Sequence, residues 1–295
     1  MSDRRDFKGY FGAEPEPCWP EDAQLAVSFV VNVEEGAELS IGDGDARNES
    51  VYEIREEVTG VPDLCMETHF AYGTRRGYQR IADAFDVHGV KATFSTCGRV
   101  AERSPWLMRD IVARGHEVSC HGWLWERHAN MTRVEEAAVI ERTHAAIAAA
   151  GGVAPVGWHT RSSASVNTRD LLIERGDFLY DSDVYDDDIP RMQGGHVILP
   201  YAFDTNDMRF SLGGGFVQAR DFSDYVIGAF ERLYREGATA ARMLSIGLHL
   251  RLIGRPGRIK ALEDVLAYIS LRPGVWIAPR RDIAARWAQV HGGGA

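Results

Sequence analysis

The chain has 295 residues, 45% of them hydrophobic and 26% charged, the composition of an ordinary globular protein long enough to bury one large core. Its 33 basic residues are outnumbered by 43 acidic ones, for a net charge of −10. That balance argues against nucleic acid or an anionic membrane as partner, since both require clustered Lys and Arg, and no apolar run approaches the about 18 residues of a membrane span.

The four cysteines, Cys18, Cys65, Cys97 and Cys120, have no CxxC pair and no framework spacing, as expected of free thiols in a reducing compartment. The charged, Pro-containing start, MSDRRDFKGYFGAEPEP, lacks a signal-peptide apolar run, so a cytoplasmic protein is expected. In chain order, strand-like runs are predicted at 25–33, 91–97, 116–120, 155–160, 178–184, 196–203, 243–250 and 275–278. Helical patterns fall near 75–88, 104–114, 132–150, 168–176, 221–236, 257–271 and 280–290; the third opens on Thr132-Arg-Val-Glu135, a capping box. Strands alternating with helices predict an α/β fold, a β/α barrel or a doubly wound sheet, and the lack of a linker predicts one domain over 1–295. Residues 1–22 read as an N-terminal arm and 35–73 as a long insertion after the first strand. The stretch Asp43-Gly-Asp45-Ala-Arg47 lacks the glycine and the ligand order of a calcium loop.

Polar residues collect where strands end: Asn32, Glu34 and Glu35; His121; His159 and Arg161; Asp181 and Asp183; Asn206 and Asp207; His249. In parallel β/α folds these ends share one rim, where catalytic groups sit. Carboxylates, imidazoles and an arginine, without a reactive cysteine or a GxSxG elbow, suit hydrolysis by activated water. Trp123 and Trp125 are expected to wall a small polar pocket, with Glu126 beside it. Cys97 and Cys120 read as small buried hydrophobes, His69 and His88 as surface residues, Asp186 to Asp188 as a solvated run, and Tyr225, Phe230 and Tyr234 as core.

The order Glu34-Glu35, His121, Arg161, Asp181-Ser182-Asp183, Leu248-His249 resembles the polysaccharide deacetylase superfamily. The resemblance implies a distorted (β/α) barrel of about seven to eight parallel strands. Two departures stand out: the acidic pair is Glu-Glu, and Trp125 stands four residues after His121 where the metal-binding members have a second His. With Asn32-Val-Glu-Glu-Gly36 and His121-Gly-Trp-Leu-Trp125, the chain is similar to the metal-independent allantoinases and related cyclic amide or imide hydrolases. Further matching stretches are Phe178 to Asp183, Asp204 to Phe210 and Ser245 to Arg258. The segment from Thr160 to Arg169 departs from that branch and leaves the substrate open.

This resemblance implies ring opening of a small cyclic amide, ureide or imide without a cofactor, and a homo-oligomer. Glu34, Glu35, His121 and His249 are the expected catalytic residues. Asn32, Trp125, Glu126, His159, Arg161, Asp183, Asn206 and Asp207 are expected to bind substrate. Adjacent Glu34 and Glu35 on an extended strand point to opposite faces. Glu35, freed by Gly36, is therefore expected to face the pocket and titrate high as the base, with Glu34 paired structurally. The alternative is a zinc-dependent deacetylase of an N-acetylated sugar or polyamine, its ligands Glu34, His121 and Glu126 or His128. A barrel without catalysis is the third reading.

Overall fold

The computed structural model describes residues 7, 9–10, 12–51, 53–54 and 56–293. Leu25–Val33 forms β1, and every one of its residues is buried. Such an unbroken apolar run belongs to a parallel strand covered on both faces. After it come α1 (Leu64–Tyr72), α2 (Tyr78–Val87), β2 (Thr93–Thr96), α3 (Gly98–Arg103), α4 (Pro105–Ala113) and β3 (Glu117–Cys120). Next are α5 (Arg133–Gly151), β4 (Gly157–Trp158), α6 (Thr168–Arg175), β5 (Tyr180–Asp181), β6 (Arg191–Gln193) and β7 (His196–Ile198). The chain then forms α7 (Ala219–Gly237), β8 (Arg242–His249), α8 (Ile259–Ile269), β9 (Val275–Ile277) and α9 (Arg280–His291).

The nine strands among the described residues form one sheet in the order β6-β7-β5-β4-β3-β2-β1-β8, with β9 also on β1. Strand β6 pairs antiparallel with β7, and the other pairings are parallel. Strand β1 divides one edge between two neighbours: its start pairs with β9 and its end with β2. A parallel bridge between Asn206 and Gly247 links the segment after β7 to β8, curling the sheet into a distorted (β/α) barrel. The expected strands are all present; β1 and β8 have the expected length and the other six are shorter. Strand β6 and helices α1 and α3 are additions.

The main core packs the outer sheet face against the helices, with Phe85 edge-on to Phe29 at 5.7 Å and to Phe94 at 6.5 Å. A smaller cluster closes the opposite end of the barrel, where Trp19 from the N-terminal arm lies 5.8 Å from Trp276 and 6.2 Å from Trp287. Of the arm, residues 1–6, 8 and 11 lie outside the described residues. The expected solid core at Tyr225, Phe230 and Tyr234 holds fully for Phe230 only, since Tyr225 is 40% exposed. His69 is not a surface residue: it is half-buried between Glu53 and Arg255. Asp43 and Asp45 pair with Arg103 and Arg99, which fastens the insertion to α3.

Candidate active site

Parallel register brings the site together. Asn32 is level with His249 across β1 and β8, and Val33, Thr96, Cys120 and Trp158 are level across β1 to β4. The residues that follow each strand therefore meet on one rim. They enclose a cavity of ≈ 190 Å³ lined by Asn32, Glu34, His121, Trp125, His159, Arg161, Asn206 and His249 from the expected set. Ser162, Tyr185, Tyr201, Phe203 and Met208 complete the lining and had no expected role.

Glu34 stands at the centre. Its Oε1 is 3.5 Å from His121 Nε2 and 3.4 Å from His249 Nε2, and its Oε2 accepts from Arg251 Nη1 at 2.6 Å. Burial alone would raise its pKa, but the charges of Arg251 and His249 outweigh burial and hold the carboxyl well below its usual range. His249 has the complementary shift. Burial disfavours its charge, yet Glu34 and Asp207 push the imidazole up to about 10, so it is an imidazolium at neutral pH. His249 Nδ1 donates to Asp207 Oδ1 at 2.6 Å. His121 donates Nδ1–H to the His159 carbonyl at 2.6 Å, which orients the ring with Nε2 towards Glu34.

The wall carries further polar groups. The Arg161 guanidinium stacks 3.3 Å over Trp125 and donates to the Trp125 carbonyl and to Glu49 of the insertion. The Tyr201 hydroxyl accepts from both Asn32 and Asn206, so its own proton is free to donate elsewhere. Asn32 Oδ1 and His159 Nδ1 are buried without a hydrogen-bond partner. Burial, then His121 and Arg280, hold His159 well below its usual pKa and therefore neutral.

Four expected site residues do not line the cavity. Glu35 turns away from it: Oε2 accepts from the Glu34 amide at 3.0 Å and Oε1 from the Arg251 amide at 3.1 Å, against Gly73. The anticipated division holds in charge, with Glu35 raised and Glu34 paired to Arg251, but not in place, since Glu34 and not Glu35 lines the cavity. Strand β1 ends at Val33. Glu34, two residues after Asn32, shares its cavity-facing side, paired and anionic, while Glu35 opens the turn that follows and is buried away from the cavity, where burial raises its pKa to about 7. Asp207 lies behind His249, its Oδ2 also accepting from the His249 and Ile253 amides. Asp183 accepts from the backbone and hydroxyl of Thr160, holding the loop that presents Arg161. Glu126 lines an adjoining depression with Arg47 and Arg127, which shares Trp125 and Arg161 with the cavity. Trp123 is likewise not a cavity wall; it packs on Gly98 beneath Arg142.

The zinc set of the alternative reading is not assembled. His128 is fully buried and tied to Glu136 at 3.0 Å, and neither it nor Glu126 lines the cavity with Glu34 and His121. Among the described residues no group of three or more His, Cys, Asp or Glu is placed to hold a metal ion. Cys97 and Cys120 are buried, which pushes their thiols up, and they behave as small hydrophobes.

Arg251 is the main residue that the sequence reading missed. It is fully buried, held by Glu34 and by Glu53 at 2.8 Å, with Phe70 4.3 Å below its guanidinium. An arginine between Leu250 and Leu252 in an apolar run was the available signal, because a buried cation needs carboxylates.

Residues 62–174 match the polysaccharide deacetylase family model. A provisionally named polysaccharide deacetylase of Schizosaccharomyces pombe is 34% identical over 99% of both chains. The structure of another, from Pseudomonas aeruginosa PAO1, superposes with a TM-score of 0.93 at 40% identity, covering 98% of this chain and 99% of that one. The structure of Puue allantoinase superposes with a TM-score of 0.94 at 38% identity over 99% of both chains. With its fold and rim in place, the chain belongs to the polysaccharide deacetylase family and is a hydrolase of carbon–nitrogen bonds.

Proposed function

We propose that the protein opens the ring of a small cyclic amide, ureide or imide by adding water across its C–N bond. The observation that carries this reading is one carboxylate oxygen, Glu34 Oε1, within 3.5 Å of two imidazoles, His121 and the protonated His249. His121 Nε2 takes a proton from water as the water oxygen attacks the ring carbonyl. The negative charge that develops on the carbonyl oxygen is met by Arg161 and by the free proton of Tyr201. As the C–N bond breaks, His249 gives its Nε2 proton to the departing nitrogen. Glu34 keeps His249 charged and stabilises the imidazolium that forms at His121. It then passes the proton from one ring to the other to restore the starting state.

The cavity volume supports a small ring, being below the about 300–1,000 Å³ of pockets for drug-sized ligands. The unpartnered Asn32 Oδ1 and His159 Nδ1 suit ring N–H donors. In this reading no cofactor takes part, and the enzyme is a cytoplasmic homo-oligomer. The four free cysteines and the apolar Val61 and Leu64, 57% and 70% exposed on the insertion, agree with that. The test is a panel of allantoin, hydantoin, succinimide, glutarimide and acetylated sugars, each with and without chelator, on protein sized by sedimentation. Ring opening that survives chelation is expected. Release of acetate that is lost on chelation would install the deacetylase reading instead.

A further inference from the structure

The mouth of the cavity is aromatic. Phe203 lines it yet is 55% exposed, and its ring stacks on Tyr185 with centroids 3.9 Å apart at 13°. Tyr185 in turn lies 6.2 Å from Tyr201 and within 3.4 Å of His159 Nε2, so the stacked pair continues the wall of the site outward. Met208, half-buried, also lines the cavity. A phenylalanine more than half in water, with its other side supported by a parallel ring, is a preformed platform for a flat apolar group. The polar donors lie deeper, at Arg161, Asn32 and Tyr201, where the ring amide has to sit for His121 and His249 to reach it.

From this we infer that the ring substrate carries a flat, apolar substituent, such as an aryl group, that stacks on Phe203 outside the reaction centre. The inference rests on the ring-opening reading and adds the chemistry of the substituent. A polar exocyclic group such as the ureido arm of allantoin would be dehydrated against Phe203 and Tyr185 without gaining hydrogen bonds from them, a poorer use of the same wall.

The experiment compares kcat/KM for hydantoin, allantoin and 5-phenylhydantoin in the full-length protein. Wild type should prefer 5-phenylhydantoin to hydantoin by about tenfold, the range expected when a ligand group covers one aromatic side chain. Phe203→Ala should bring that ratio near unity, and Phe203→Trp, which restores a stacking face, should keep it. Allantoin as the best of the three, or a ratio that Phe203→Ala leaves unchanged, would overturn the inference while leaving ring opening intact. Opening of succinimide or glutarimide but none of these three would overturn the inference, and failure to open any of the five would remove the ring-opening reading itself.

Discussion

Glu34 and Glu35 are neighbours in the chain with opposite electrostatic fates. Glu34 is anionic between Arg251 and two imidazoles, and its replacement removes the charge that keeps His249 protonated. Glu34→Gln should lower kcat by about 10²–10⁴-fold with the fold retained by circular dichroism, and His249→Ala should do the same. In the wild type kcat should fall as pH rises through about 10, where His249 loses its proton. Glu35→Gln should instead be read in stability. Burial lifts the Glu35 carboxyl to about 7 from an ordinary 4.5, so between those values the folded state holds a proton that the unfolded state has lost. The associated stabilisation, on the order of 3 kcal/mol, is present below the unfolded pKa and vanishes as pH rises through the folded one. Glu35→Gln has no such proton to lose, so its stability relative to wild type should rise between about pH 5 and about pH 8. Equal differences in melting temperature at both values would refute this. Which glutamate entered the site was not legible from the sequence, because it turned on how the chain leaves β1 after Val33.

Strands that end in polar residues were legible, because a parallel strand buried on both faces leaves a continuous apolar run and an abrupt stop. The segment after β1 was not. Its helix α1 is capped by Asp63, whose side chain accepts from the Met66 amide, and runs into α2 through a π turn at Gly73–Gly77, so helix begins well before the expected start near residue 75. Gly73 is there because a Cβ would meet the Glu35 carboxylate. Gly73→Ala should cost about 1–3 kcal/mol by overpacking, measurable in urea. The insertion also delivers Glu49 to Arg161 and Glu53 to Arg251, contacts separated by more than a hundred residues. No local pattern encodes such a pairing. Glu49→Ala would free the Arg161 guanidinium from one of its two anchors, so KM should rise by about tenfold while the melting temperature changes little, as a positioning contact requires. An unchanged KM would show that Trp125 alone holds Arg161.

At the scale of the whole molecule, the barrel closes through side chains and loops rather than a complete strand ladder. Between the segment after β7 and β8 the seam consists of the Gly247 amide donating to the Thr205 carbonyl at 3.0 Å, the Thr205 hydroxyl donating to the Ser245 carbonyl at 2.6 Å, and Arg280. Arg280 opens α9, and the sequence marked it only as a helix start. It is buried, and its guanidinium donates to Ser182 Oγ at 2.9 Å, Ser245 Oγ at 3.0 Å, and the Leu199 and Pro200 carbonyls at 2.5 and 2.7 Å. Those acceptors come from β8 and from the ends of β5 and β7, so one planar fork ties both sides of the seam directly below Tyr201. Arg280→Met would leave four buried acceptors without donors, a loss of about 3–5 kcal/mol. Arg280→Lys should recover little of it, since a single ammonium cannot reproduce the fork. In both variants hydrogen exchange should rise first at the Gly247 amide, which the seam alone protects, ahead of the amides in the β1–β2 ladder. Uniform loss of protection across the sheet would mean that Arg280 supports the barrel as a whole, not its seam.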